Sequence, residues 1–472
     1  MKRYIVRQIG ANKGAPRVFL EFADLALAGF TPGRTYKREV NQDDKRITLT
    51  VVDQGSHVVS KKDRDGKQCP VIDINSSEAL KPFEGMQAVR IVLTDNRIFI
   101  LPLASETRRL ERLKRLAGHL DTGQVTTAGT SFGGGVLDHA AHAGLEEAGI
   151  HATLAMANEI DEGLLEHARA HNAIVTDTTQ LIAAPMQELV QDEWAMSQIA
   201  KADFFQLGIP CSGASVAGRA SRGLKLPEHH PEVGHLVASA LMLINRINPA
   251  VVVVECVTQY AATASAQILR QQLRDSAYDV QEVDLRGREF GCLEHRDRWF
   301  LVAATKGLPM DLANLAPAVH AVPTVAEILD PIPADAPDWR TFDYLKQKEV
   351  RDAAKGSSFS MQVVTPASTK VGVLRRCYAK SGSTDPLLAH PTDGDLLRPF
   401  TVAEHARIKQ VPLALVEGLG KTDGHILLGQ GILYLPVVEL FKRIGQCLMA
   451  WRASLSEGVQ HRVDYNLGRA TG

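Results

Sequence analysis

The chain has 472 residues and a net charge of −1, and 45% of its residues are hydrophobic and 23% charged. These values exclude a mainly disordered chain and predict about two to four globular domains. No apolar run approaches the roughly 20 residues that span a bilayer, and the amino terminus lacks the apolar core of a signal peptide. The 6 cysteines include no pair at CxxC spacing. The sequence therefore predicts neither disulfides nor a metal site, and it favours a cytoplasmic location.

Charge is distributed unevenly along the chain. Residues 1–120 carry 22 Lys and Arg against 14 Asp and Glu, whereas the remaining residues carry 31 against 40. A basic amino-terminal part is typical of a protein with a polyanionic partner, and also of an ordinary solvated surface. Composition leaves both interpretations open.

Residues 1–105 contain an imperfect duplication. RVFLEF, FTPGRTYKREV and KRITLTV correspond to PVIDIN, FEGMQAVRIVL and NRIFILP, with Gly33 and Gly85 at matching places. Each copy predicts a strand, a short helix or turn and two further strands, and the polar residues 54–68 predict a loop between the copies. Two such units predict one small β-barrel. It resembles the swapped-hairpin barrels of bacterial transition-state regulators, which implies DNA binding or dimerisation.

Residues 106–123 predict a basic connecting helix. Leu110, Leu113 and Leu116 share one face at helical spacing, and several arginines surround them. The pattern favours an ordinary connecting helix whose arginines are solvated.

From residue 124 onward, short apolar runs alternate with helical stretches. This alternation predicts a doubly wound α/β domain with a parallel sheet in residues 124–304. Residues 305–397 break the rhythm with clustered prolines and few periodic segments, so they predict an inserted module, and the α/β pattern resumes in residues 398–472. The predicted strands lie at residues 126–132, 152–157, 172–176, 203–209, 250–257 and 298–304.

A glycine turn and two acids predict a nucleoside site. Gly133, Gly134 and Gly135 follow a predicted strand and open a helix, which lets the backbone approach a ligand closely. Glu159 ends the next strand, where a carboxylate can accept hydrogen bonds from ribose hydroxyls. Asp177 follows the third apolar run and is predicted to meet the base.

Reactive groups are predicted at the ends of later strands. Cys211 follows Pro210 at the carboxyl end of a strand, the edge at which open α/β sheets hold their sites. Glu255 ends the apolar strand VVVVECV, whose surroundings favour a neutral carboxyl group suited to proton donation. Arg296 and Arg298 offer fixed donors for a phosphate or a carbonyl oxygen. A structural cysteine and a surface ion-pair cluster are the alternative interpretations.

Six segments in this order resemble the DNA cytosine-5 methyltransferases over residues 124–304 and 398–450. They are GTSFGGG, LAMANEID, the Pro-Cys turn, VVVVECV, EHRDR, and RPFTVAEHARIKQVP with GQGILYLP behind it. The sequence departs from the family pattern at several positions. Ser131 or a shifted Phe132 stands for a Phe, Ser212 and Glu294 stand for Gln, Cys256 stands for Asn, and Gly429-Gln430-Gly431 replaces Gly-Asn-Ser/Ala.

The resemblance implies an S-adenosylmethionine-dependent methyltransferase fold and methylation of carbon 5 of cytosine in double-stranded DNA. Cys211 is the implied nucleophile at carbon 6 of a flipped base, with Glu255, Arg296 and Arg298 assisting. The module of residues 305–397 is the implied target-recognition domain. The implied cofactor-binding residues are Phe132, Gly133, Gly135, Glu159, Ile160, Asp177, Pro210, Gly429 and Gly431. The implied DNA-binding residues are Ser215, Arg375, Arg376, Lys380 and Arg398.

Other interpretations remain at this stage. An RNA cytosine-5 methyltransferase fits the same segments, and so does a DNA-binding regulator that has lost catalysis. A nucleotide-binding oxidoreductase fits the glycine turn and Glu159 but leaves Cys211 and residues 398–436 unexplained. The sequence predicts double-stranded DNA as the partner and no membrane. It leaves open a cognate restriction endonuclease of a restriction–modification system, the recognised DNA sequence and the oligomeric state.

Overall fold

The computed structural model describes residues 1–64, 66–210, 213–214, 222–313, 315, 321–356 and 359–469, with side chains up to residue 455. The chain divides into two compact units, Met1–Glu111 and Arg112–Gly472. The division falls within the helix Ala104–Asp121, which overlaps the helix predicted at residues 106–123.

The first unit consists mainly of antiparallel strands. Six strands form one sheet in the order β1-β9-β10-β5-β4-β6, and four form another in the order β2-β3-β8-β7. Two short helices, Asp24–Leu27 and Ser77–Leu80, lie between strands. The strands are β1 Arg3–Gln8, β2 Gly10–Asn12, β3 Ala15–Glu21, β4 Thr35–Asn41, β5 Arg46–Val51, β6 His57–Val58, β7 Ser60–Arg64, β8 Lys67–Asn75, β9 Ala88–Thr94 and β10 Arg97–Pro102.

The two sequence copies pair with each other symmetrically. In β5 and β10, Ile47 faces Ile100 and Leu49 faces Ile98, so equivalent positions of the two copies exchange partners. β3 and β8, the first strands of the copies, also pair antiparallel. Apolar residues of both sheets form one buried cluster. The predicted duplication is therefore present in three dimensions, whereas a closed barrel stays a prediction.

The polar residues 54–68 are not the loop that their composition predicts. They contain β6, β7 and the start of β8. β7 is an edge strand whose residues are all exposed, which explains its polar sequence SKKDR. Polarity alone therefore gave the wrong element here.

The second unit contains a mixed sheet of seven strands in the order β13-β12-β11-β14-β15-β17-β16. The first five run parallel, and β17 is antiparallel to both of its neighbours. β15 is buried along its whole length, as a valine-rich strand covered on both faces should be. The strands are β11 Gln124–Thr130, β12 His151–Glu159, β13 Gln180–Ala183, β14 Phe204–Gly208, β15 Val251–Cys256, β16 Tyr278–Arg286 and β17 Asp297–Thr305.

Helices cover both faces of this sheet, as the doubly wound pattern predicts. The first helix after β11 packs against the last helix of the chain, and their apolar side chains share a core cluster with the sheet. The helices are Val136–Glu147, Glu162–His171, Met186–Leu189, Glu193–Gln198, Leu236–Ile247, Ala264–Asp275, Asp343–Ala354, Val402–Ile408, Lys421–Gln430 and Tyr434–Arg469.

One strand prediction in this unit was wrong, and one strand of the sheet was not predicted. Residues 172–176 form no strand, and the third strand lies a few residues later, at β13. The apolar side chains of Ile174 and Val175 pack instead against the cluster that contains Phe132. β16, with its alternating polar residues, was not predicted.

The described residues between 305 and 397 contain little regular structure. The described part holds the helix Asp343–Ala354 and strands β18 (Val363–Val364) and β19 (Leu387–Ala389). These strands form a small sheet with β20 (Leu397–Arg398). Buried apolar residues of this segment pack with Leu293 and Ile408.

Among the described residues, no single helix is long and apolar enough to cross a membrane. Only the bent pair Lys421–Gln430 and Tyr434–Leu455 passes the same test of length and composition.

Candidate active site

The glycine turn joins β11 to the helix Val136–Glu147. Ser131, Gly133 and Gly135 adopt φ angles of 52°, 56° and 76°, a region that glycine enters without steric cost. A Cβ atom at Gly135 would lie 2.4 Å from the ring of Phe132. Glycine is therefore required at this position both for conformation and for space.

Asn172 holds this turn from outside. Its side-chain nitrogen donates hydrogen bonds to the carbonyl oxygens of Gly134 and Gly135, at 3.0 and 3.4 Å. Asn172 is 3% exposed. No local pattern in the sequence marks this contact, because the two partners of Asn172 lie 38 and 37 residues away.

Glu159 lies beside the turn, as predicted. Its carboxylate accepts the backbone N–H of Gly133 at 2.7 Å, and those of Ile160 and Asp161 at 2.9 and 3.2 Å. The structure thus brings the acid at the end of β12 to the glycine turn at the end of β11. A carboxylate fixed in this way is a suitable acceptor for ribose hydroxyls.

The segment after the recognised RPFTVAEHARIKQVP motif returns to the same turn. A Cβ atom at Gly134 would lie 2.4 Å from Leu427, and one at Gly431 would lie 4.0 Å from Val136. The end of the helix Lys421–Gln430 therefore packs on the glycine turn. The predicted return of the segment Gly429–Gly431 to the nucleoside site agrees with this packing.

The other predicted cofactor residues occupy different environments. Ile160 is 67% exposed beside Glu159, and Pro210 is half-buried just beyond β14. Phe132 is buried and packs beneath the turn. Asp177 lies in an exposed turn before β13, which corrects its predicted place at the end of a strand.

Glu255 lies at the same edge of the sheet. In the β14–β15 ladder it is opposite Gly208, and its carbonyl oxygen accepts the N–H of Ile209 at 3.1 Å. A Cβ atom at Gly208 would lie 3.8 Å from Glu255 Oε2 and 3.7 Å from the carbonyl oxygen of Ser131. The carboxylate of Glu255 and the glycine turn therefore both lie next to Gly208. The predicted nucleophile, Cys211, lies outside the described residues, two positions after Ile209.

Arg298 forms an ion pair with Glu255, with 2.8 Å between Nε and Oε1. Burial raises the pKa of Glu255 above its ordinary value, although the positive charges of Arg298, Arg296 and Lys409 oppose this shift. The environment therefore favours the neutral carboxyl group more than water does.

Arg296 has a different position from the one predicted. It is 4% exposed, and its guanidinium donates to the carbonyl oxygens of Gly429 and Gln430 at 3.2 and 3.4 Å. We therefore assign Arg296 to holding the returning segment, whereas Arg298 faces the acid.

A second buried ion pair lies next to these groups and was missed. Lys409 Nζ lies 2.7 Å from Glu294 Oε2, and neither side chain is exposed. Burial lowers the pKa of Lys409 to about 7. Both residues stand inside quoted motifs, but nothing in the sequence joins positions 115 residues apart.

The predicted DNA-binding residues divide into two groups. Arg376 and Lys380 are exposed. Arg375 donates to Asp385 at 2.8 and 3.0 Å, and Arg398 is 2% exposed with two bonds to Glu404 at 2.6 and 2.7 Å. Arg398 is thus a core residue, which corrects its assignment to the DNA interface. Ser215 lies outside the described residues.

Comparison with known families identifies the family to which the chain belongs. A family model for the C-5 cytosine-specific DNA methylases matches residues 139–417, more than half of the chain. The chain belongs to this family. No curated protein matches its sequence.

Solved structures show the same fold as this methylase at low identity. The Dnmt2 methyltransferase of S. pombe is 16% identical, with a TM-score of 0.53 over 68% of this chain and 97% of that protein. The methyltransferase EhMeth of Entamoeba histolytica is 14% identical, with a TM-score of 0.52 over 68% and 98%. A mutant DNMT2 of Spodoptera frugiperda is 13% identical, with a TM-score of 0.50 over 69% and 99%.

The methylase family implies S-adenosylmethionine as the methyl donor. The residues present fit that group, because a turn of left-handed glycines, a fixed carboxylate and the exposed Ile160 lie together at one sheet edge. Among the described residues, no cluster of three or more His, Cys, Asp or Glu could hold a metal ion.

Proposed function

We propose that the protein methylates carbon 5 of cytosine in double-stranded DNA. Family membership supports the reaction type. The observation that carries the proposal is the ion pair of the buried Glu255 with the half-buried Arg298, beside the Gly208–Pro210 strand end. It sets a carboxyl group and a guanidinium group next to the strand end that Cys211 follows in the sequence.

Cytosine chemistry gives each of these groups a task. Carbon 5 is a weak nucleophile until a thiolate adds to carbon 6, which is the role of Cys211. Glu255 hydrogen-bonds the ring nitrogen and the exocyclic amine, and its raised pKa suits proton donation. Arg298 holds the base carbonyl and offsets negative charge that develops during addition. Loss of the carbon 5 proton and elimination of Cys211 then restore the ring.

S-adenosylmethionine supplies an electrophilic methyl group when bound. Glu159 binds its ribose hydroxyls, and the backbone of Gly133 and Gly135 lets the group approach the sheet edge closely. Arg296 keeps the segment Gly429–Gly431 against the glycine turn. The half-buried Pro210 stiffens the neighbouring strand end.

DNA contacts are shared between two parts of the chain. We assign sequence choice to residues 305–397, where Arg376 and Lys380 are exposed. We assign non-specific phosphate binding to the first unit, which carries 19 Lys and Arg against 14 Asp and Glu. The proposal includes a cytoplasmic location and, as partner, a nuclease that cuts the same unmethylated site.

Bisulfite sequencing of DNA from cells that express the protein tests the reaction and its sequence context together. We expect 5-methylcytosine at one recurring sequence, and none with Cys211→Ser. DNA with 5-fluorocytosine at that site should then form a denaturation-resistant complex with the wild-type protein and not with Cys211→Ser. Methylation of RNA alone would overturn the DNA substrate, and intact DNA binding without methylation of either would support an inactive regulator.

A further inference from the structure

A Glu–Lys pair lies buried close to the Glu255–Arg298 pair. Glu294 and Lys409 are both 0% exposed, and 2.7 Å separates Glu294 Oε2 from Lys409 Nζ. Lys409 is close enough to Glu255 to lower the pKa of that carboxyl group. The proposed chemistry gives neither residue a task.

Glu294 joins the strand that carries the arginines to residues 305–397. Its Oε1 accepts the backbone N–H of Leu374 at 2.9 Å and lies 3.8 Å from Arg296 Nη1. The backbone of Val371 pairs with the same loop, since its N–H donates to Leu293 and its carbonyl accepts from His295. One carboxylate thus contacts both the catalytic strand and the inserted segment.

Arg296 extends this set of contacts to the returning segment. It donates to the carbonyl oxygen of Gly429, and a Cβ atom at Gly429 would lie 2.4 Å from the backbone of Arg375 and Arg376. Three segments distant in sequence therefore meet around Glu294 and Arg296.

The departure from the family pattern at Glu294 has a physical explanation in its pairing with Lys409. The resemblance places a neutral Gln at the position of Glu294. A carboxylate buried there alone would lose its hydration without compensation, and so would an ammonium group at position 409. Each charge is tolerable only because the other is present. Relative to a neutral pair, the intact pair contributes little net stability, whereas removal of one partner alone leaves an uncompensated buried charge and destabilises the fold.

We propose that Glu294 and Lys409 act as one positioning pair, which fixes Arg296 against the returning segment and Arg298 beside Glu255, and which ties the segment Val371–Leu374 to them. The proposal rests on the proposed methyltransferase function. Neither residue touches the cytosine. Because the charges of Glu294 and Lys409 compensate each other, neither one is left unpaired to attract or repel the neighbouring arginines out of position.

The charge of Lys409 also acts on Glu255. The titratable groups around Lys409 are Cys292, Glu294 and Arg296 before β17, Arg298 on β17, Glu255 on β15, and His405 on the helix Val402–Ile408 that precedes Lys409. Removal of the positive charge lets the pKa of Glu255 rise, so its protonated form persists to higher pH. The pH–rate profile of Lys409→Met should therefore lose activity at higher pH than that of the wild type.

The experiment compares the full-length wild type with Glu294→Gln, Lys409→Met and the double variant. Gln keeps an oxygen for the Leu374 N–H and removes only the charge. Each single variant should lower kcat at pH 6.5, where the Lys409 ammonium group is charged, by about tenfold or more, because small misplacements of catalytic groups cost about this much or more. The double variant should recover to within about threefold of the wild type, and thermal unfolding should show the same rescue.

Asp203→Asn is the matched control. It breaks the buried Arg115–Asp203 pair, at the amino end of β14. We expect lower thermal stability with unchanged kcat and pH profile. The positioning role is overturned if the single variants lose only stability, if their effects on kcat add in the double variant, or if the pH profile of Lys409→Met stays unchanged.

A wild-type protein that methylates no cytosine substrate would contradict the proposed function instead. The unfolding midpoints of the same four proteins then decide the pair by themselves. Rescue in the double variant supports the coupling of Glu294 and Lys409, and additive losses overturn it.

Discussion

Glu159 is the side chain on which nucleoside binding depends most directly. Its carboxylate is fixed by three backbone N–H groups at the end of β12. Asp161, two residues later, uses its carboxylate to accept the N–H of Leu164 and caps the helix Glu162–His171. The two neighbouring acids therefore make a matched pair with different tasks.

Glu159→Ala should weaken S-adenosylmethionine binding about tenfold or more, because a charge-assisted hydrogen bond contributes roughly 1.5–3 kcal/mol. Calorimetric titration measures the affinity. Asp161→Ala should cost about 1 kcal/mol of stability through the lost cap, with nearly unchanged affinity. Equal affinity in Glu159→Ala and the wild type would refute this cofactor site.

Asp138 is a buried acid in the first turn of the helix Val136–Glu147. It is 2% exposed, and a Cβ atom at Gly129 would lie 2.5 Å from its Oδ1. Burial raises the pKa of Asp138 from 3.8 to about 8. Because the folded pKa exceeds the unfolded one, the protonated carboxyl group stabilises the fold at low pH, and that contribution is lost as pH rises to about 8.

Asp138→Asn mimics the protonated acid at every pH. Its stability relative to the wild type should therefore increase between about pH 4 and 8, by up to roughly 1.4 kcal/mol per pH unit. Urea unfolding at a series of pH values measures the difference. The exposed Asp275→Asn should show no such trend, and a flat difference for Asp138→Asn would contradict the burial argument.

The helix Ala104–Asp121 shows how an element can be predicted correctly and its face misjudged. The expected solvated arginine Arg112 is 1% exposed and lies 3.9 Å from the ring centre of Tyr278. It donates to Asn248 and to the carbonyl oxygens of Ser276 and Ala277. The basic residues of this helix thus serve partly as anchors within the second unit.

Arg112→Met should destabilise the protein by about 2–4 kcal/mol, because it leaves buried carbonyl oxygens without their donor. Lys114→Met removes one positive charge from an exposed position of the same helix. It should change stability by no more than about 0.5 kcal/mol. Equal losses in the two variants would mean that charge rather than burial matters, and thermal or urea unfolding distinguishes these outcomes.

At the scale of the whole molecule, non-specific DNA affinity and the choice of the methylated DNA sequence are assigned to different parts of the chain. Deletion of residues 1–103, which stops before the helix Ala104–Asp121, should weaken DNA binding and flatten its dependence on salt, since exposed phosphate contacts are lost. The loss should be largest at low salt, where charges are least screened. The methylated sequence should stay the same.

Replacement of the exposed Arg376 and Lys380 by neutral residues, which leaves the buried Tyr378 in place, is the complementary variant. It should relax or abolish site choice with a smaller effect on the salt dependence. Filter binding over a salt series and sequencing of methylated DNA give both measurements. A changed methylated sequence in the truncated protein would overturn the division of labour, and unchanged affinity would reassign the first unit to dimerisation or a protein partner.

The local sequence pattern and the order of motifs along the chain were enough to predict many elements of the fold and part of the candidate site. Alternating apolar runs predicted the parallel strands, and the glycine turn and Glu159 were expected to meet because the carboxyl ends of parallel strands lie at one edge. The duplication was visible because both copies keep the same spacing of strands and glycines. The prediction of the third strand at residues 172–176 was wrong, because a short apolar run does not distinguish a strand from a loop.

Only the tertiary structure decided which charged side chains are buried and with whom. Arg112, Arg296 and Arg398 were expected at the surface or at a substrate, and Glu294 and Lys409 were given no task, yet all five are buried. A charged residue can be buried when the fold brings it a compensating partner. Arg398 meets its partner Glu404 six residues away, whereas Arg112, Arg296 and Lys409 meet theirs more than 100 residues away. The composition of a segment therefore determined its element, and long-range packing determined what most of its charges do.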